Sequence, residues 1–154
     1  MNNEVDNQIK SAIESGNAEQ FETLLEKLPD ESIDGDTWSD WLCECISDGD
    51  LPRVDMLCKL DEKGKIHYPQ RYNLYCSDYI QVCVMHAAVQ EGTEIMRRIL
   101  DCGFDVDAHD EEGNCALSMA TEAEDEEMIK LLLEYGADPD MDHPYGENDA
   151  ENEY

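Results

Sequence analysis

Basic residues are scarce in this sequence. Ten lysines and arginines stand against 39 aspartates and glutamates, for a formal net charge of −29. A field of that sign repels phosphate backbones and anionic headgroups, which argues against direct nucleic-acid binding and against membrane-surface binding. Long apolar runs are missing too. No stretch approaches the ~20 residues that a membrane helix needs. The opening Met1-Asn2-Asn3-Glu4-Val5-Asp6-Asn7 lacks the basic segment and apolar run of a secretory signal. The seven cysteines are an odd number with no paired framework. They read as reduced thiols, and the expected location is cytoplasmic.

Catalytic patterns are equally sparse. No Ser/His/Asp or Cys/His arrangement is visible, no phosphate-cradling glycine loop and no HExxH. The four histidines, His67, His86, His109 and His143, are scattered. Cys43 and Cys45 have one residue between them and no second pair, unlike a structural zinc site, and Trp41-Leu-Cys-Glu-Cys-Ile46 reads as a helix with small core cysteines. Asp138, Asp140 and Asp142 alternate like the start of a calcium loop, with Asp149 at the twelfth position. His143 stands where that loop requires glycine, and the twelfth residue is not glutamate. The expectation is a protein with no enzymatic activity, no metal and no cofactor.

What is present is a repeat. Ile13-Glu-Ser-Gly16 and Ile46-Ser-Asp-Gly49 open equivalent turns, and Gly16 and Gly49 are 33 residues apart, as are Gly103 and Gly136. After Gly92, Ile95, Met96, Ile99 and Leu100 fall at helical spacing, and Met128, Ile129, Leu132 and Leu133 do the same. One short helix pair cannot bury such a face alone, whereas stacked pairs share a continuous core. Gly103 and Gly136 follow these helices, where a left-handed C-cap favours glycine. Trp38 and Trp41, three residues apart, read as filling the second repeat rather than holding a ligand.

Two stretches carry a family resemblance. Cys83-Val-Met-His-Ala-Ala-Val-Gln-Glu-Gly92 with Ile99-Leu-Asp-Cys-Gly103, and Gly113-Asn-Cys-Ala-Leu-Ser-Met-Ala120 with Leu132-Leu-Glu-Tyr-Gly-Ala-Asp138, resemble the ankyrin repeat. The likeness is clear over about 79–142 and degenerate over about 9–60. It implies an all-α ankyrin-repeat solenoid of about four helix-turn-helix repeats joined by short hairpin loops. The repeats fall at about 9–34, 38–66, 79–112 and 113–142, within a single domain over 1–142. His86 takes the place of the family's repeat histidine, which implies a structural role. Cys83 and Cys115 replace its usual threonine and Ser118 the second histidine, which implies weaker hydrogen bonding between repeats. The spacing breaks between the second and third repeats, where an insertion over 61–79 carries Tyr68, Tyr72, Tyr75 and Tyr79. Insertions in repeat proteins map to loops, often on a binding face, and tyrosine is enriched at interfaces. A hairpin whose tyrosines only cover the core edge is the competing reading. Residues 143–154 form an acidic tail without apolar periodicity, expected to be partly disordered.

The resemblance also implies where a protein partner touches: the hairpin tips and the exposed side of the first helix of each pair. On this chain those places are Asp107, His109, Asp110, Glu111 and Glu112, then Thr121 and Glu122, then Asp140 and Asp142, with Tyr72, Tyr75 or Phe104 as aromatic anchors. Val89 and Gln90 are expected exposures of the third repeat. From Asp101 to Tyr154 there are 19 acidic residues and one basic residue, Lys130. The expected role is therefore a non-catalytic interaction module, monomeric by itself: an acidic inhibitor or immunity-type protein that blocks a basic partner such as a nuclease toxin. A general scaffold or adaptor with acidity for solubility is the alternative, as is a DNA mimic acting against a defence protein.

Overall fold

The computed structural model describes residues 3–68 and 79–139. The chain divides into two compact units, Met1–Gln70 and Arg71–Tyr154. The first holds α1 (Asn3–Ser15), α2 (Ala18–Lys27), β1 (Ile33–Asp34), α3 (Gly35–Ser47), α4 (Leu51–Glu62) and β2 (Ile66–His67). The second holds α5 (Tyr79–Val89), α6 (Thr93–Asp101), α7 (Ala116–Glu122) and α8 (Glu126–Glu134). The class is all-α. Among the described residues the one ladder is two residues long and parallel, pairing Ile33 with Ile66 and Asp34 with His67.

Three of the four described helix pairs turn on the same device, and the α5–α6 pair turns instead through Gly92, whose φ is 126° and which gives no side-chain cap. Gly16 donates its N–H to Ile13 O (3.1 Å) and Asn17 donates to Ala12 O (3.0 Å). Gly49 and Asp50 repeat this on Ile46 O and Cys45 O, and Glu124 and Asp125 on Thr121 O and Ala120 O. The next helix is then capped by a side chain: Asn17 accepts from Gln20 N, Asp50 from Arg53 N and Asp125 from Met128 N. This turn needs a left-handed residue, with φ of 71° at Gly16, 68° at Gly49 and 56° at Glu124. Glutamate has a Cβ that the left-handed region penalises by about 1–2 kcal/mol. Glu124→Gly is therefore expected to stabilise the protein by about 1 kcal/mol, a rise of about 2–4 °C for a chain of this size. Gly16→Ala is expected to cost about the same. A lower melting temperature for Glu124→Gly would show that the extra freedom of glycine in the unfolded chain outweighs the relieved strain.

In the first unit Trp38, Leu42, Ile46 and Leu57 are fully buried. Trp38 donates its indole N–H to Leu57 O at 2.9 Å, and the Tyr68 ring meets the Trp38 ring edge-on, with centroids 5.9 Å apart. The Tyr68 hydroxyl donates to the Asp61 carboxylate, so Tyr68 covers the edge of this core. Lys65, from the same insertion, is clamped at the ladder by Leu28 O (2.8 Å) and Asp30 (3.1 Å). In the second unit α5 packs on α6 and α7, and α6 on α8. The apolar positions Ile95, Met96, Ile99 and Leu100 are all buried, as are Met128, Leu131 and Leu132. Gly103 and Gly136 have the positive φ expected after α6 and α8. Leu133 departs from the expected face, being 43% exposed. Val89 and Phe104 correct two further expectations: each is 7% exposed and belongs to the core, which leaves Phe104 unavailable as an anchor.

Candidate functional site

The hairpin between α6 and α7 is built from its own acids. Asp105 donates its N–H to the Gln81 side chain of α5 (2.9 Å), and Asp107 donates its N–H to the Asp105 carboxylate (2.9 Å). The Asp107 carboxylate accepts from Asp138 N at 3.0 Å, tying this loop to the one that follows α8. His109 pairs with Cys115 in an antiparallel bridge, and its Nδ1 lies 3.2 Å from Asp107 O. At the tip, Asp110 accepts the Gly113 N–H on its carbonyl (3.0 Å) and donates its own N–H to Asn114 O (3.1 Å). Its carboxylate takes the N–H groups of Glu112 and Asn114, both at 2.9 Å, and the Asn114 side-chain amide at 3.2 Å. Partial burial pushes the Asp110 carboxyl up, but these three donors outweigh it and hold the group below the ordinary carboxylate range. His86 of α5 holds the same strand, with Nε2 3.2 Å from Asn114 O, in keeping with a structural histidine that links consecutive repeats.

The expected contact residues therefore separate into two kinds. Asp107, His109 and Asp110 are half-buried and engaged within the fold. Glu111, Glu112, Thr121 and Glu122 are exposed. Thr121 donates its hydroxyl back to Leu117 O (2.7 Å). The hairpin leads into the N-terminus of α7, whereas Thr121 and Glu122 close its C-terminus, so the two exposed groups stand about 10 Å of helix apart. Tyr72, Tyr75, Asp140 and Asp142 lie outside the described residues, as does the acidic tail over 143–154.

Several exposed acids were not singled out from the sequence. Glu124, Glu126 and Glu127 adjoin Glu122 in the turn from α7 to α8 and are all exposed. Asp125 caps α8, and Glu126 and Glu127 occupy its first turn, where a helix N-terminus favours negative charge. On α6 and α8, Tyr135 donates its hydroxyl to Asp101 (2.5 Å), which holds the phenol above its ordinary value, and Arg97 sits 5.8 Å from the Tyr135 ring. In the first unit Arg53 bridges Asp50 (2.7 Å) and Asp48 (3.1 Å). Its hydrogen bond holds the Asp50 carboxyl below the ordinary range. The spacing Asp50-x-x-Arg53, with Asp50 at the capping position of α4, is the available signal.

Among the described residues no group of three His, Cys, Asp or Glu side chains is placed to hold a metal ion. Cys43 and Cys45 lie on one helix and neither is in a disulfide; Cys45 is buried, and that burial pushes its thiol up. No described helix is long and apolar enough to cross a membrane.

Paired short helices, recurring αL turns between them and a hairpin held by its own carboxylate define a helical-repeat protein. The chain belongs to the ankyrin-repeat family: the family model for ankyrin repeats, spanning three copies, matches residues 42–143. The match begins inside α3 and so takes in the second helix pair as well as the third and fourth. Ankyrin-repeat domains are typically non-catalytic modules whose partners are proteins.

Proposed function

We propose that this protein is an acidic inhibitor of the immunity type, which binds a protein with a basic surface, such as a nuclease toxin, and blocks its site. The observation that carries this reading is the set of exposed carboxylates at the two ends of α7. Glu111 and Glu112 stand at one end, and Glu122, Glu124, Glu126 and Glu127 at the other. Over residues 79–139 there are 15 acidic side chains and three basic ones, Arg97, Arg98 and Lys130. Such an excess steers a cationic partner into encounter and selects against anionic ones. A nuclease suits it because its cleft is itself built to receive phosphate. Tyr72 and Tyr75 remain the aromatic anchors of this proposal, and Asp140 and Asp142 extend its acidic set.

Tagged full-length protein in lysate at low salt is expected to retain a basic enzyme, to release it on a step to high salt, and to inhibit it on re-addition. Its association rate is expected to fall by at least about tenfold as screening rises. The variant Glu111→Lys/Glu112→Lys/Glu122→Lys is expected to slow association by a similar factor while leaving the melting temperature within a few degrees of wild type. Retention of a heterogeneous, salt-resistant set of proteins, indifferent to these substitutions, would instead identify a scaffold whose acidity serves solubility.

A further inference from the structure

A groove in the first unit lies between α1 and α3, closed at one side by α4. It is a shallow surface groove, largely open to solvent. Its floor is apolar, made by Ile13 (2% exposed) and Cys45 (4% exposed). One wall is the half-buried ring of Trp41, and Glu14 and Glu44 stand exposed at the rim. A cation already lies on that ring: Lys10 Nζ is 5.7 Å from the centroid. Lys10 is weakly held, since its ion pair with Glu14 spans 3.9 Å and the two side chains are 42% and 58% exposed. Arg53, also at the groove, is neutralised by Asp48 and Asp50.

From these features we infer that the groove receives an arginine side chain of a protein partner, with Lys10 marking where the guanidinium lies. Once Lys10 swings aside, the indole face suits a planar cation, and the two rim carboxylates offer acceptors to its forked donors. Arginine displaces Lys10 because a guanidinium is less strongly hydrated than an ammonium and stacks flat on an aromatic ring. The assignment rests on a basic protein being the partner, but uses side chains remote in sequence from the α7 carboxylates.

The test titrates full-length, ¹⁵N-labelled protein with the capped peptide Gly-Arg-Gly-Arg-Gly and with the same peptide carrying neutral citrulline for arginine. The Trp41 indole N–H resonance is expected to shift with arginine and not with citrulline. That of Trp38, buried and bonded to Leu57, is expected to stay in place. Lys10→Met, which frees the ring, is expected to tighten arginine-peptide binding about threefold, and Trp41→Leu to weaken it at least about fivefold. An equal shift with citrulline would overturn the assignment. So would arginine-peptide binding that moves other resonances and leaves Trp41 still, and in that case the basic-partner reading survives. Absence of arginine-peptide binding anywhere on the protein at low salt would overturn both.

Discussion

Replacing Trp38 with alanine is expected to destabilise the protein by about 4 kcal/mol, measured by urea unfolding of the full chain followed by circular dichroism. The ring is fully buried, so truncation removes a large apolar surface and leaves a cavity between α3 and α4 that the neighbouring helices can only partly fill. A second contribution is polar. The indole N–H donates to Leu57 O, 19 residues along the chain, and so ties the two helices of this pair together. Trp38→Phe keeps most of the apolar contact and deletes that donor, and about 1–2 kcal/mol is expected for it. The difference between the variants then measures packing apart from hydrogen bonding. A loss below about 2 kcal/mol for alanine would mean that Tyr68, edge-on against the same ring, collapses into the space. Equal losses for both variants would place the whole effect on the hydrogen bond.

Trp38 and Trp41 show what a sequence can and cannot say at this level. Their spacing puts both on one helix, and the filling role read for the pair fits Trp38. Which tryptophan meets the core depends on where α4 and α1 pack against α3, and that is a tertiary fact. The repeat was legible because its signal is periodic. Apolar residues at helical spacing in α6 and α8, and glycines 33 residues apart, each report the same packed unit. The parallel ladder between Ile33 and Ile66 leaves no such signal, although its partners are separated by that same 33 residues. Two-residue strands carry no alternation of their own, so the pairing becomes visible only once equivalent positions of stacked repeats are laid side by side. The burial of Val89 and Phe104 is illegible for a related reason: each sits at the end of a helix or just beyond one, where burial is decided by a neighbouring element.

The contact residues were less legible because acidic residues are so common that one carboxylate cannot be told from another by type. By residue type Asp110 groups with Glu111 and Glu112 as a contact residue, yet of the three it alone closes the hairpin. Here a local signal did exist. Asp110-Glu-Glu-Gly113 has aspartate and glycine at the two ends of a four-residue turn, the pattern in which the first side chain caps the amides that follow.

That division makes Asp110 the sharpest control on the proposed function. Asp110→Ala is expected to cost about 2 kcal/mol, because three donors lose a charged acceptor at a site partly open to water. Asp110→Asn keeps an oxygen for the Glu112 and Asn114 amides, and less than about 1 kcal/mol is expected. The two variants also differ in their response to pH. Asp110 has its folded-state carboxyl below the ordinary range. Its contribution is therefore complete above the unfolded-state pKa of about 4 and is lost as pH falls through the lower folded value. Other carboxylates titrate over the same window, so the informative quantity is the stability gap between wild type and Asp110→Asn. That gap is expected to be constant from pH 7 to about 5 and to shrink below pH 4. A gap independent of pH would show that the Asp110 charge contributes nothing to the hairpin. For the partner, Asp110→Lys would impair binding by unfolding the tip even if no partner ever touched Asp110. Glu111→Lys with Glu112→Lys removes charge from a tip that stays formed. Weak binding by the second pair alongside normal binding by Asp110→Asn is thus the combination expected of an acidic tip that meets a basic surface.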